Sequence, residues 1–175
     1  GRPSGQVSDG GVVNVADGFP RSDVAGRLDC LRPLLVDAAI DALLITNITN
    51  IRYLSGFLGS AGSLWVTPGR AVLVTDGRYR HQASDQITKS GADIDLEITG
   101  GGHLAVMKKL ASGFGRVGLE AESTSWADLE RLAGAIEGEL KPTSGMVEAL
   151  REIKDDGEVA RIAAAATIAD QALAA

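Results

Sequence analysis

Short apolar runs, most of them rich in β-branched residues, alternate with segments of helical periodicity along the 175-residue sequence. The runs at 63–67 and 71–75 flank Pro68 and Gly69, a pair typical of a tight turn, and therefore predict a β-hairpin. The other elements predicted are strands at 42–46, 93–99, 116–120 and 140–143, and helices at about 23–39, 77–90, 104–110, 125–137 and 156–175. This alternation predicts an α/β domain whose largely parallel or mixed sheet is covered on both sides.

Net charge and cysteine content narrow the class of protein. The net charge of −6 and the isoelectric point near 4.9 argue against a nucleic acid or an anionic membrane as partner. No apolar stretch approaches the roughly 20 residues needed to span a bilayer. Cys30 is the only cysteine, which excludes an internal disulfide and favours a cytoplasmic location. Because Cys30 falls in an apolar helical segment, we expect a buried, unreactive thiol.

The two ends of the chain differ from the middle. Residues 1–20 are rich in Gly, Ser, Asp and Val without periodicity, and we expect a flexible tail there. Asp155 and Glu158 have the spacing of a capping box, which predicts a helix from there to the last residue. Its apolar stripe needs a surface to cover, so 154–175 is interpreted as a linker helix into a domain that this chain lacks. A helix docked back on its own domain is the alternative.

Residues 47–62 and the glycines at 100–102 contain the local motifs that resemble catalytic signatures. Residues 47–54 are expected to form a turn or a single helical turn, followed by a bend that we call the glycine loop (56–62). Ser60 in this loop has Leu58 where a nucleophile elbow needs glycine, so a structural turn is favoured. Residues 100–102 lack the Lys-Ser/Thr of a phosphate-binding loop. His81 and His103 are too isolated in the sequence to predict a metal site.

Asp76, Gly77, Arg78 and Tyr79 follow a predicted strand and begin a helix, where open α/β sheets place ligand-contacting residues. Asp76 can cap the helix, and Tyr79 begins its apolar face. Arg78 has no evident local role. Its guanidinium could hold a carbonyl or carboxylate with two hydrogen bonds, or it could form a structural ion pair. The residues alone favour the ion pair.

Several sequence motifs, taken together in their order along the chain, are more informative than any one of them. The sequence resembles the amino-terminal domain of aminopeptidase P and prolidase-type metallopeptidases, the creatinase/prolidase family. The segments that carry the resemblance are Asp41–Thr46, Asn50–Phe57, Gly59–Gly62, Thr75–Tyr79 with Gln82 and Ala83, Val117–Glu120 and Leu150–Lys154.

The resemblance implies a fold and an activity. It implies a mixed, six-stranded sheet flanked by helices, with a ribonuclease H-like motif, over residues 21–153. A pita-bread catalytic domain would follow, which binds two divalent ions (Mn, Co or Zn) and hydrolyses the bond before proline in peptides. Because that domain lies outside the sequence, no catalytic or metal-binding residue is assigned, and the 175-residue chain is expected to be inactive by itself.

The resemblance also implies roles for the amino-terminal domain. In this family such a domain builds a homodimer or higher oligomer and narrows the entrance to the active site. In aminopeptidase P relatives the arginine of Asp-Gly-Arg-Tyr resembles a peptide-contacting group, which makes Arg78 the candidate substrate-binding residue. A prolidase acting on dipeptides, the less similar creatinase, and a non-enzymatic interaction module of the same fold remain alternatives.

Overall fold

The computed structural model describes residues 18–20, 22–100 and 102–174. They form two compact units: a larger one within residues 23–153, which contains the sheet, and a smaller one that joins residues 18–20 and 22 to residues 154–174. The expected tail at 1–20 lies mostly outside the described residues. None of the helices in the described residues is long and apolar enough to cross a membrane.

One mixed sheet organises the larger unit. Its strands are β1 (Ala42–Ile45), β2 (Ser63–Val66), β3 (Ala71–Asp76), β4 (Asp95–Thr99), β5 (Arg116–Glu120) and β6 (Glu139–Thr143). Their order in the sheet is β4-β3-β2-β1-β5-β6. β2 runs antiparallel to β1 and β3, whereas the other neighbouring pairs are parallel. The predicted hairpin and the mixed six-stranded sheet are confirmed.

Helices cover both faces of the sheet. They are α1 (Val24–Asp37), α2 (Ile48–Ser55), α3 (Arg80–Ser90), α4 (His103–Ala111), α5 (Trp126–Ala133) and α6 (Met146–Glu152), with α7 (Asp156–Leu173) in the smaller unit. Apolar residues of α1, α2, α3 and α6 pack on one face, and those of α4 and α5 pack on the other. All four residues of β1 are buried because the strand lies between two helical layers.

Two expectations about local structure are wrong. Residues 48–55 form the two-turn helix α2, because Asn47 caps it by accepting a hydrogen bond from the Thr49 N–H at 2.9 Å and Gly56 ends it with φ 73°. Cys30 is exposed rather than buried. It lies about 200° around the helix from Leu28, and therefore off the buried stripe of α1.

Candidate functional site

The turn after β3 brings Asp76 and Arg78 together. Asp76 Oδ1 accepts hydrogen bonds from the backbone N–H and the Nε–H of Arg78, both at 3.0 Å, and Oδ2 accepts one from Nη2 at 2.7 Å. The hydrogen bond from Arg78 lowers the pKa of Asp76, although desolvation opposes the shift. The side chain of Arg78 is nevertheless 75% exposed. The ion pair therefore orients a guanidinium that solvent, or a ligand, can reach.

Tyr79 connects this turn to the glycine loop. Its hydroxyl lies 2.7 Å from Ser60 Oγ, and this hydrogen bond lowers the pKa of Tyr79. The ring meets Phe57 edge to face at a centroid distance of 5.6 Å. The guanidinium of Arg78 lies 5.5 Å from the centroid of the same ring. Tyr79 therefore contacts the glycine loop, through Ser60 and Phe57, and also the guanidinium of Arg78.

The glycine loop is fixed by close packing. Phe57 is fully buried, and a Cβ at Gly59 would overlap its ring. Thr75 donates a hydrogen bond to the carbonyl oxygen of Ala61 at 2.6 Å, which joins the loop to β3. The loop leads into strand β2 rather than a helix. This arrangement agrees with the expected structural turn and differs from a nucleophile elbow.

The two histidines lie on different helices. Both are exposed residues: His81 lies on α3, and His103 begins α4 with its Nε2 2.9 Å from Ser63 Oγ. Desolvation lowers the pKa of His103. Within the described residues, no group of three or more His, Cys, Asp or Glu side chains could hold a metal ion. The divalent ions that the resemblance implies therefore do not fit these residues, and no ligand is assigned to them.

A buried polar cluster that sequence reasoning missed lies at the carboxyl ends of β1 and β5. Glu120, 8% exposed, accepts hydrogen bonds from the backbone N–H groups of Thr46 and Asn47 at 2.7 and 2.8 Å. It also accepts one from the side chain of Asn50 at 2.6 Å. Glu120 and Asn50 lie in two of the segments that carry the family resemblance, which is the sequence signal that could have found the cluster.

Comparison with known proteins assigns the larger unit to a family. Residues 27–153 match the model of the creatinase/prolidase N-terminal domain. The chain belongs to this family, whose fold is the mixed α/β sheet described above.

Relatives and solved structures agree with the assignment. The chain is 35% identical over 149 residues to the uncharacterized peptidase YqhT of Bacillus subtilis, with 83% of this chain and 41% of that protein covered. A Xaa-Pro dipeptidase from Bacillus anthracis superposes with a TM-score of 0.73 at 32% identity, over 78% of this chain and 38% of the other. The N-terminal domain of the cytoplasmic peptidase PepQ of Mycobacterium tuberculosis superposes at 0.63 with 40% identity, over 72% and 98%. The chain thus spans less than half of the full-length relatives.

Proposed function

We propose that the chain is the non-catalytic amino-terminal domain of a metal-dependent Xaa-Pro aminopeptidase. The family match over residues 27–153 carries the proposal. A probable Xaa-Pro aminopeptidase P of Colletotrichum graminicola, 37% identical over 82 residues, supports the aminopeptidase form, although it covers 40% of this chain and 13% of that protein. The similar Xaa-Pro dipeptidase of B. anthracis supports a prolidase as the second candidate.

Arg78 is the proposed peptide contact of this domain. Asp76 engages Nε and Nη2 of the guanidinium, which orients the group while it stays exposed. The planar guanidinium then offers further N–H donors to a peptide carbonyl or carboxylate. Arg78 can therefore pair with Asp76 and contact a peptide at the same time, because the ion pair holds its guanidinium in place.

The partner proposed for α7 is a following catalytic domain. Four apolar side chains of this helix are more than half exposed: Val159, Ile162, Ile168 and Leu173. The capping box at Asp155 and Glu158 starts the helix, since each of these residues bonds the backbone of the other. In the complete protein, we propose, a pita-bread domain with two divalent ions covers the apolar side chains.

The remaining proposals concern the assembly and its location. The domain would take part in a homodimer or higher oligomer and narrow the entrance to the active site, so that short proline-containing peptides enter. The complete enzyme would be cytoplasmic, a location supported by the similarity to the cytoplasmic peptidase PepQ of M. tuberculosis.

Peptidase assays on two versions of the protein test this function. The protein encoded by the complete coding sequence should release the first residue from a Xaa-Pro-Yaa tripeptide in the presence of Mn²⁺. A chelator should abolish this activity. The 175-residue chain should show none under the same conditions. Cleavage of Xaa-Pro dipeptides alone would favour the prolidase, and turnover by the 175-residue chain would contradict the assignment of chemistry to another domain.

A further inference from the structure

The amide of Asn50 is completely buried, and all three of its polar positions are used. Nδ2 donates to Glu120 Oε1 and to Glu148 Oε1, both at 2.6 Å, and Oδ1 accepts from Arg151 Nη1 at 3.0 Å. An asparagine amide has two N–H donors and one carbonyl acceptor, so no other side chain of similar size satisfies this site. A carboxylate would place a third negative charge between two glutamates.

Asn50 therefore joins two parts of the domain that are distant in sequence. On one side is Glu120, the last residue of β5, which also binds the backbone N–H groups that precede α2. On the other side are Glu148 and Arg151, both on α6. The side-chain amide of Asn50 thus connects α6 to the carboxyl ends of β1 and β5.

Helix α6 depends on such contacts. It has seven residues, too few to be stable in isolation, and Val147 is its one fully buried side chain, beside the half-buried Met146 and Leu150. A second polar contact comes from Tyr53, whose hydroxyl donates to the carbonyl oxygen of Leu150 at 3.1 Å. Both contacts come from α2, and α6 is the last helix of the larger unit before residue 154.

We propose that Asn50 is a positioning residue: it fixes α6 to the carboxyl edge of the sheet and thereby sets where the chain leaves this domain. The consequence for catalysis rests on the proposed function, because it requires a catalytic domain beyond α7. That Asn50 fixes α6 to the sheet depends only on contacts within the larger unit.

Asn50→Asp tests the structural part in the 175-residue chain. Amide hydrogen exchange of residues 149–152 should become about tenfold faster, because the new carboxylate repels Glu120 and Glu148, while amides of β1 to β3 stay protected. The double variant Asn50→Asp/Glu148→Gln replaces the repelled carboxylate on α6 with an amide that can donate to position 50, and should restore much of the protection. Gln82→Glu makes the same amide-to-carboxylate change on the exposed side of α3 and should leave α6 unaffected.

The outcome separates positioning from general support of the fold. Unchanged exchange at 149–152 in Asn50→Asp, or a folded double variant that recovers no protection, overturns the proposal. If Asn50→Asp does not fold, Glu148→Ala, an exposed change on α6, should still speed exchange there about threefold. An unchanged rate in that variant also overturns it.

The complete enzyme tests the functional part. Asn50→Asp should lower kcat/KM for a Xaa-Pro peptide about tenfold with unchanged metal content, and the double variant should recover most of the loss. A wild-type protein without peptidase activity would refute the proposed function and leave the exchange result standing. An active Asn50→Asp enzyme with a loosened α6 would refute only the link from α6 to catalysis.

Discussion

Gly59 lies directly against the ring of Phe57, so closely that a methyl group at position 59 would overlap three carbons of that ring. Phe57 has no room to move, because it is fully buried and packs edge to face on Tyr79. The glycine at this position is therefore required by packing. The same packing places Tyr79, and with it the turn that holds Arg78.

Gly59→Ala should destabilise the chain by about 1–3 kcal/mol, the usual cost of forcing extra atoms into a packed site. Urea unfolding followed by tryptophan fluorescence measures the change. Gly69→Ala is the matched control, because a Cβ at Gly69 meets nothing within 4 Å. Equal stability of the two variants would show that the loop yields to accommodate the methyl group.

The central strands β1, β2 and β3 could be predicted because each contains a continuous apolar run, and the hairpin because Pro68 and Gly69 mark its turn. Helix α6 was missed because its seven residues are fewer than the roughly 11–18 over which a helical period can be recognised. The contact between Asn50 and Glu120 joins residues 70 positions apart. No local pattern reports such a contact, because only the parallel pairing of β1 with β5 brings the two segments together.

Replacement of Arg78 distinguishes a peptide contact from a structural ion pair. In the complete enzyme Arg78→Ala should reduce kcat/KM about tenfold, the effect of a lost hydrogen bond to a charged group. Thermal stability should change little, because the pair with Asp76 is exposed. Arg78→Lys keeps the charge but loses the planar fork, and we expect it to be only partly active. Unchanged kinetics with a lowered melting temperature would support the structural ion pair.

His103 makes stability depend on pH. Its pKa is lowered from 6.5 by desolvation, so the folded chain keeps the imidazole neutral at a pH where the unfolded chain already binds a proton. The free energy of unfolding should therefore fall as the pH drops below about 6.5, and this loss should stop below the folded-state pKa. His103→Gln should remove that part of the pH dependence.

Urea titrations between about pH 5 and pH 8 measure this dependence, because an unperturbed imidazole changes its charge in that range. His81→Gln, on the exposed side of α3, is the control for loss of a histidine. The same slope in wild type and His103→Gln would show that desolvation of His103 does not change its proton binding between the folded and unfolded states.

Gly157 lets the segment before α1 pass close to the first turn of α7. A Cβ at this position would lie 2.6 Å from the carbonyl oxygen of Pro20 and 3.0 Å from the backbone N of Ser22. Arg161 reinforces the contact, because its Nη1 donates to the carbonyl oxygens of Pro20 and Gly157 at 3.1 and 2.7 Å. Its guanidinium also lies 5.4 Å from the centroid of the Phe19 ring.

Gly157→Ala should therefore loosen this contact, although alanine is favoured over glycine inside a helix by about 1 kcal/mol. Amide exchange at residues 158–162 should accelerate, because the methyl group displaces the segment that covers this turn. Gly134→Ala is the control: a Cβ there meets its neighbours at 3.6 Å, an ordinary contact distance, so that variant should be neutral or slightly more stable. If Gly157→Ala instead slows exchange in α7, helix propensity outweighs the contact with Pro20, and the segment before α1 does not restrain the helix.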